Sequence, residues 1–216
     1  MPRDPLQDCD MSSDLLLALV SFAFVTSVTP GPNNLMLMAS GANFGLRRTL
    51  PHMLGIPAGF VLLAGAAGLG LAGLLHTVPA ALWALKAAAV GYMLWLAAKI
   101  ARAGAPQQAG KDTGAGGTGP AARPMTLVQA AAFQWVNPKA WAMALGAVTV
   151  YAPQGDAAQI GLVALVFSLV NLPTITLWAW AGEGLRGWLA DPRRLRAFNL
   201  TMAALLVASL WPVVKL

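Results

Sequence analysis

Charge is what this sequence has least of. Only 10% of its 216 residues are Asp, Glu, Lys or Arg, against 57% hydrophobic, and the mean hydropathy is +0.64. A soluble domain carries about a quarter charged residues, so water cannot cover this chain's surface. Cysteine is nearly absent: Cys9 stands alone, which excludes an intrachain disulfide and a cysteine-based metal cluster. No Asp or Glu lies deep in a long apolar segment, since Asp14 opens the first and Glu183 closes the fifth. A carboxylate proton relay of the usual kind is therefore not visible. Enzymatic machinery is missing as well. Ser40 has no intramembrane histidine, no paired aspartates occur, and Gly110-Lys111-Asp112 lacks the spacing and Ser/Thr of a phosphate-binding loop. This reading gives no enzyme, no cofactor and no ATP-driven pump.

Long apolar runs are what the chain does have. They approach the roughly 20 residues that a lipid-spanning helix needs. Six candidate spans read as 14–44, 49–75, 79–100, 125–151, 157–182 and 194–214, and no segment reads as a strand. The fold class is an all-α membrane protein. Residues 103–124 include Gly114-Ala115-Gly116-Gly117-Thr118-Gly119, a composition that packs no core and suits a flexible connection. The expected division is an outward tail at 1–13, a three-helix half at 14–100, a cytoplasmic loop at 101–124 and a second half at 125–216. Asp191-Pro192 suits the N-cap and first position of the last helix. Arg3 against Asp4, Asp8 and Asp10 is not the positive start of a signal peptide, so the first span is expected to be retained. Met1 and Met11 are alternative starts.

The basic residues are placed asymmetrically. Loops after spans one, three and five hold Arg47, Arg48, Lys99, Arg102, Lys111, Arg123, Arg186, Arg193, Arg194 and Arg196, while the other side holds Arg3 and Lys215. Ten against two predicts both termini outward and the Gly-rich loop in the cytoplasm of a bacterial inner membrane. This placement also argues against nucleic acid, despite a net charge of +6.

Two spans carry proline breaks near their middles: Thr29-Pro30-Gly31-Pro32-Asn33-Asn34 in the first and Val136-Asn137-Pro138-Lys139 in the fourth. Proline removes a backbone donor and clashes with the preceding turn. Free backbone groups at that depth are tolerated where they are buried or line a cavity. Matched breaks in two halves point to a transporter's substrate site, and three spans per half force an inverted repeat. Gly55-Ile56-Pro57 and Asn171-Leu172-Pro173 form a second, less well aligned correspondence.

A helix restarting after Pro32, with Asn33 near its N-cap, offers N–H groups to a carboxylate. Carbonyls freed before Pro30 suit an ammonium group, so one break can read both ends of an α-amino acid. Asn34 can donate and accept, with local capping as the alternative. Lys139 has three competing roles: carboxylate ligand, proton carrier, or partner to carbonyls freed by Pro138. Asn137 bonds either the interrupted backbone or the substrate. Asn171 and Gln134 satisfy freed backbone or line the path. The candidate site is Pro30, Gly31, Pro32, Asn33, Asn34, Asn137, Pro138, Lys139 and Asn171.

These motifs, with Ser40-Gly41-Ala42-Asn43-Phe44-Gly45, Gly91-Tyr92-Met93-Leu94-Trp95-Leu96-Ala97 and Phe133-Gln134-Trp135, resemble the LysE/RhtB family of amino-acid exporters over residues 12–214. The Asn33-Asn34 pair and Leu177-Trp178-Ala179-Trp180-Ala181-Gly182 look most like its cysteine/O-acetylserine branch. The resemblance implies six spans and efflux of small amino acids driven by the proton-motive force. Two rival classes are a metal cation exporter and a non-transporting membrane scaffold. The spans offer no cysteine to a soft metal, and a scaffold leaves the matched breaks unexplained. A homodimer is compatible with so small a bundle, but no residue specifies one.

Elsewhere, Gly55 and Gly59 suit helix packing, Lys86 snorkelling to an interface, and most tryptophans interfacial belts. Trp135 and Trp178 are placed as possible pocket borders. His52 and His76, near span ends, are expected to be solvated.

Overall fold

The computed structural model describes residues 13–71, 73, 77–103 and 123–211. The tail with Cys9 and Met11, His76, residues 104–122 of the Gly-rich connection and Lys215 lie outside them. Every regular element among the described residues is helical: α1 (Ser13–Val28), α2 (Pro32–Phe44), α3 (Leu46–Gly68), α4 (Pro79–Ala101), α5 (Leu127–Phe133), a 3-10 turn (Gln134–Val136), α6 (Pro138–Tyr151), α7 (Ala157–Gly184), a 3-10 turn (Trp188–Ala190) and α8 (Pro192–Ala208).

Among these residues, α3, α7 and the Trp83–Ala101 part of α4 are long and apolar enough to cross a membrane, and α1 with α2 makes a fourth such unit bent by 53°. The chain is an integral membrane protein on this ground. α5 with its 3-10 extension, α6 and α8 are shorter.

Both proline breaks are present, and local chemistry explains why they form where they do. Pro30 and Pro32 remove two donors within three residues and push Thr29 and Gly31 away from helical angles. Asn137, before Pro138, is likewise extended at φ −90° and ψ 108°. By contrast, Pro51 and Pro57 lie inside an unbroken α3, and Pro173 inside an unbroken α7. Single prolines in long, tightly packed helices do not interrupt them here.

The other helix starts follow capping rules. Thr126 and Gln129 form a reciprocal capping box for α5. Asp156 caps α7, and Asp191 accepts from Arg193 N and Arg194 N with Pro192 at the first position of α8, as its sequence anticipated.

Four glycine contacts between two pairs of helices hold the bundle around the breaks. A Cβ on Gly41 would overlap the Ala179 carbonyl, and one on Gly182 would overlap that of Met38, so α2 lies backbone to backbone on α7. Gly55 and Gly59 bring α3 equally close to Leu127 and Ala131 of α5, the packing role read for this pair. Around them, Leu19, Phe60, Leu63, Ala144 and Phe167 form one core, with the Phe60 and Phe167 rings stacked at 4.8 Å. Met36, Met93, Leu96, Phe133 and Leu206 form a second core, between α2, α4, α5 and α8.

Candidate functional site

The site is built from the ends of two half-helices. α1 stops at Val28, and α2 restarts with Gly31 as its N-cap, φ −167° and ψ 178°. Asn33 lies near this N-cap, as expected: Pro32 takes the first helical position and Asn33 the second. No side chain caps α2. With Leu35 N bonded to Gly31 O at 3.0 Å, the N–H groups of Asn33 and Asn34 are left as the donors of that end.

The Asn33 side chain instead joins the two breaks. Its Nδ2 donates to Gln134 Oε1 at 2.9 Å, and Gln134 Nε2 donates back to Asn33 Oδ1 at 3.2 Å. Gln134 Nε2 also donates to Ala130 O at 2.9 Å. Asn34 works locally: its Nδ2 donates to Ser27 O at 2.8 Å and Thr29 O at 3.0 Å, tying off the frayed end of α1.

Lys139 reaches across to the same end. Its Nζ donates to Thr29 O, and its stem lies over Gly31, where an added Cβ would come within 2.6 Å of Lys139 Cδ. The carbonyl it serves is therefore freed by the first break, not by Pro138 as one of its three expected roles had it. The chain beyond Pro138 has its own solution, because the Asn137 side chain accepts from Lys139 N at 3.1 Å.

A recess opens between these groups. Gly31, Asn33, Asn34, Asn137, Lys139 and Asn171 all line it, brought together from three helices and two breaks. The prolines Pro30, Pro32 and Pro138 are not among its lining residues; they shape the breaks from behind. Asn171 is buried and makes no side-chain hydrogen bond to another described residue. Ser27, also lining the recess, has a buried hydroxyl without a partner among the described residues. Both are polar atoms that a ligand can engage.

Sequence reasoning gave Gln134 too little weight and missed Thr26, Ser27, Phe60 and Met143 in the lining. Thr26 and Ser27 lie one turn before Pro30, which is the one signal that could have found them. Trp135 and Trp178 do not border the recess. Trp135 accepts from Trp141 Nε1 at 2.9 Å and packs edge-on against that ring, while Trp178 packs against the Leu37 and Ile56 core.

The whole-chain comparisons agree with the residues at the breaks. A protein of Escherichia coli (strain K12) named cysteine/O-acetylserine efflux protein is 28% identical over 201 residues, covering 91% of this chain and 96% of that relative. The protein of the same name from Shigella sonnei (strain Ss046) matches at 28% identity with the same coverage. No solved structure matches the chain. The profile of the LysE type translocator family matches residues 24–209, a stretch that takes in both breaks and every residue of the recess, and the chain belongs to that family.

Proposed function

We propose that this protein is a secondary exporter of small amino acids or their derivatives, cysteine and O-acetylserine foremost, working by alternating access across the inner membrane. The observation that carries the reading is the recess at the crossed breaks, where donors for a carboxylate and acceptors for an ammonium lie together. The carboxylate takes the Asn33 and Asn34 backbone N–H groups and the Lys139 ammonium; the substrate ammonium takes the Asn171 amide oxygen and the Ser27 hydroxyl. Lys139 alternates between Thr29 O in the empty state and the substrate carboxylate in the loaded one. Binding thereby loosens the end of α1 from α6 and biases the two halves relative to each other.

Six spans in two inverted three-helix halves are the architecture that goes with this mechanism. Two features support it: each break has proline at the first position of its second half-helix, and those half-helices are 13 and 14 residues long. The breaks also bond each other, through Asn33–Gln134 and Lys139–Thr29. Both termini face outward and the 101–124 loop faces the cytoplasm, following the basic residues. The proton-motive force drives export. Efflux of labelled cysteine and O-acetylserine from inverted and right-side-out vesicles, with and without a proton gradient, tests the reading. Transport of neither compound overturns it; gradient-independent transport removes the driving force alone.

A further inference from the structure

A second recess lies at the basic end of the bundle and shares α2 with the first. Asn34 and Asn43 sit on the two recesses, nine residues apart on one helix, hence about 13 Å apart along its axis. His52 lines this recess with 2% of its surface exposed, and neither ring nitrogen has a partner among the described residues. This overturns the expectation of a solvated histidine: α3 begins at Leu46, a turn and a half earlier, which carries His52 into the packed bundle.

Asn43, beside it, is oriented by its neighbours. Its Nδ2 donates to Ala39 O at 2.7 Å and to Asn199 Oδ1 at 3.1 Å, which leaves Oδ1 buried with no partner among the described residues. A carbonyl can only accept, so the Ala39 bond fixes which end of the amide is the donor. Ser40 is used up: Thr49 Oγ1 donates to Gly45 O at 2.9 Å, so Ser40 Oγ donates to Thr49 at 2.9 Å and forms no dyad with His52. At the mouth stand Lys99, held over the Trp95 ring at 4.6 Å, and Arg123, both exposed, and no carboxylate lines the recess among the described residues.

Three buried polar atoms without partners among the described residues, two of them in one ring, are costly unless something bonds them. Their arrangement is amphoteric: an acceptor and an imidazole at the base, two cations at the rim. We infer that this recess is a second binding site for a small zwitterionic α-amino acid, a vestibule that holds substrate before it reaches the midplane recess. The carboxylate pairs with Lys99 and Arg123, and the ammonium donates to Asn43 Oδ1 and to the unprotonated nitrogen of His52. The inference rests on the exporter reading and adds a second site to it.

Equilibrium binding of radiolabelled L-cysteine to the full chain in lipid nanodiscs tests it. Wild type binds two molecules per chain. Lys139→Met keeps one, and so does His52→Phe, which removes both nitrogens without breaking any protein hydrogen bond. The surface pair Lys99→Gln with Arg123→Gln weakens that same site about tenfold or more, as losing bonds to charged groups should, while leaving thermal stability unchanged. A single site lost with Lys139→Met but indifferent to the His52 and Lys99/Arg123 variants overturns the vestibule and leaves the exporter reading standing. No binding at all overturns both. Propionate competing as well as cysteine would make the recess a plain anion site and overturn the amino-acid assignment.

Discussion

Lys139→Met separates what Lys139 does for the fold from what it does for transport. Methionine keeps the length and most of the volume while deleting the ammonium. For the fold, the loss is small, because Thr29 O still accepts from Asn34 Nδ2 at 3.0 Å and is not orphaned. The half-buried position of the side chain reduces it further. The cost to stability should stay below about 1 kcal/mol, the lower range for one hydrogen bond with its acceptor still satisfied. For transport, losing a bond between an ammonium and a substrate carboxylate costs about 1.5–3 kcal/mol, or about 10- to 150-fold in efflux per molecule. Gly31→Ala makes the same test without touching the charge. Its extended backbone accepts alanine, but the new Cβ would lie 2.6 Å from Lys139 Cδ and 3.1 Å from Nζ, so the flexible lysine must move. It should accumulate normally and export about tenfold more slowly, an effect of about 1.4 kcal/mol. The assay is vesicle efflux normalised to immunoblotted protein. Wild-type efflux per molecule by Lys139→Met would refute the functional role. Normal folding with normal transport by Gly31→Ala would refute the requirement for the lysine's position. Lys139→Arg should rescue poorly, since a planar guanidinium does not replace a compact ammonium.

Gly41→Val should destabilise the detergent-solubilised protein by about 1–3 kcal/mol, because its side chain meets the backbone of Ala179 and nothing flexible can yield; Gly161→Ala, with open space around it, is the matched control in the same thermal-shift measurement. A double-mutant cycle of Asn33→Leu and Gln134→Leu should show a coupling of about 1 kcal/mol in stability, reflecting their reciprocal pair of hydrogen bonds; additive effects would mean that the two breaks are not joined there. Reporter fusions after Met1, within residues 104–122 and after Leu216 should place only the middle site in the cytoplasm. A cytoplasmic amino terminus with an outward carboxyl terminus would require an odd number of spans and defeat the inverted arrangement.

Composition and hydropathy alone settled that this is a helical membrane chain, because continuous apolar runs of about 20 residues satisfy their backbone in lipid as helices, whereas barrel strands are shorter and alternate. Local chemistry also settled the first break, where Pro30 and Pro32 remove two donors within three residues. At the second, Asn137-Pro138 marks where a break can form, but a lone proline does not force one, since α3 and α7 run unbroken through Pro51, Pro57 and Pro173. The Asp191 cap was legible for the same reason, since it depends on neighbours two and three residues away. The partners across the bundle were not legible. Asn33 meets Gln134 from 101 residues away, and Lys139 meets Thr29 from 110, distances over which periodicity carries no information. His52 shows the same limit in reverse: its place near a span end suggested water, and the start of α3 together with the packing around it removed that water. Sequence marks where the backbone can break, because the sterics of proline act between neighbours, yet Pro138 interrupts its helix while Pro51, Pro57 and Pro173 do not. Which carbonyl, amide or ammonium then fills the gap is decided by helices that approach only in the folded state.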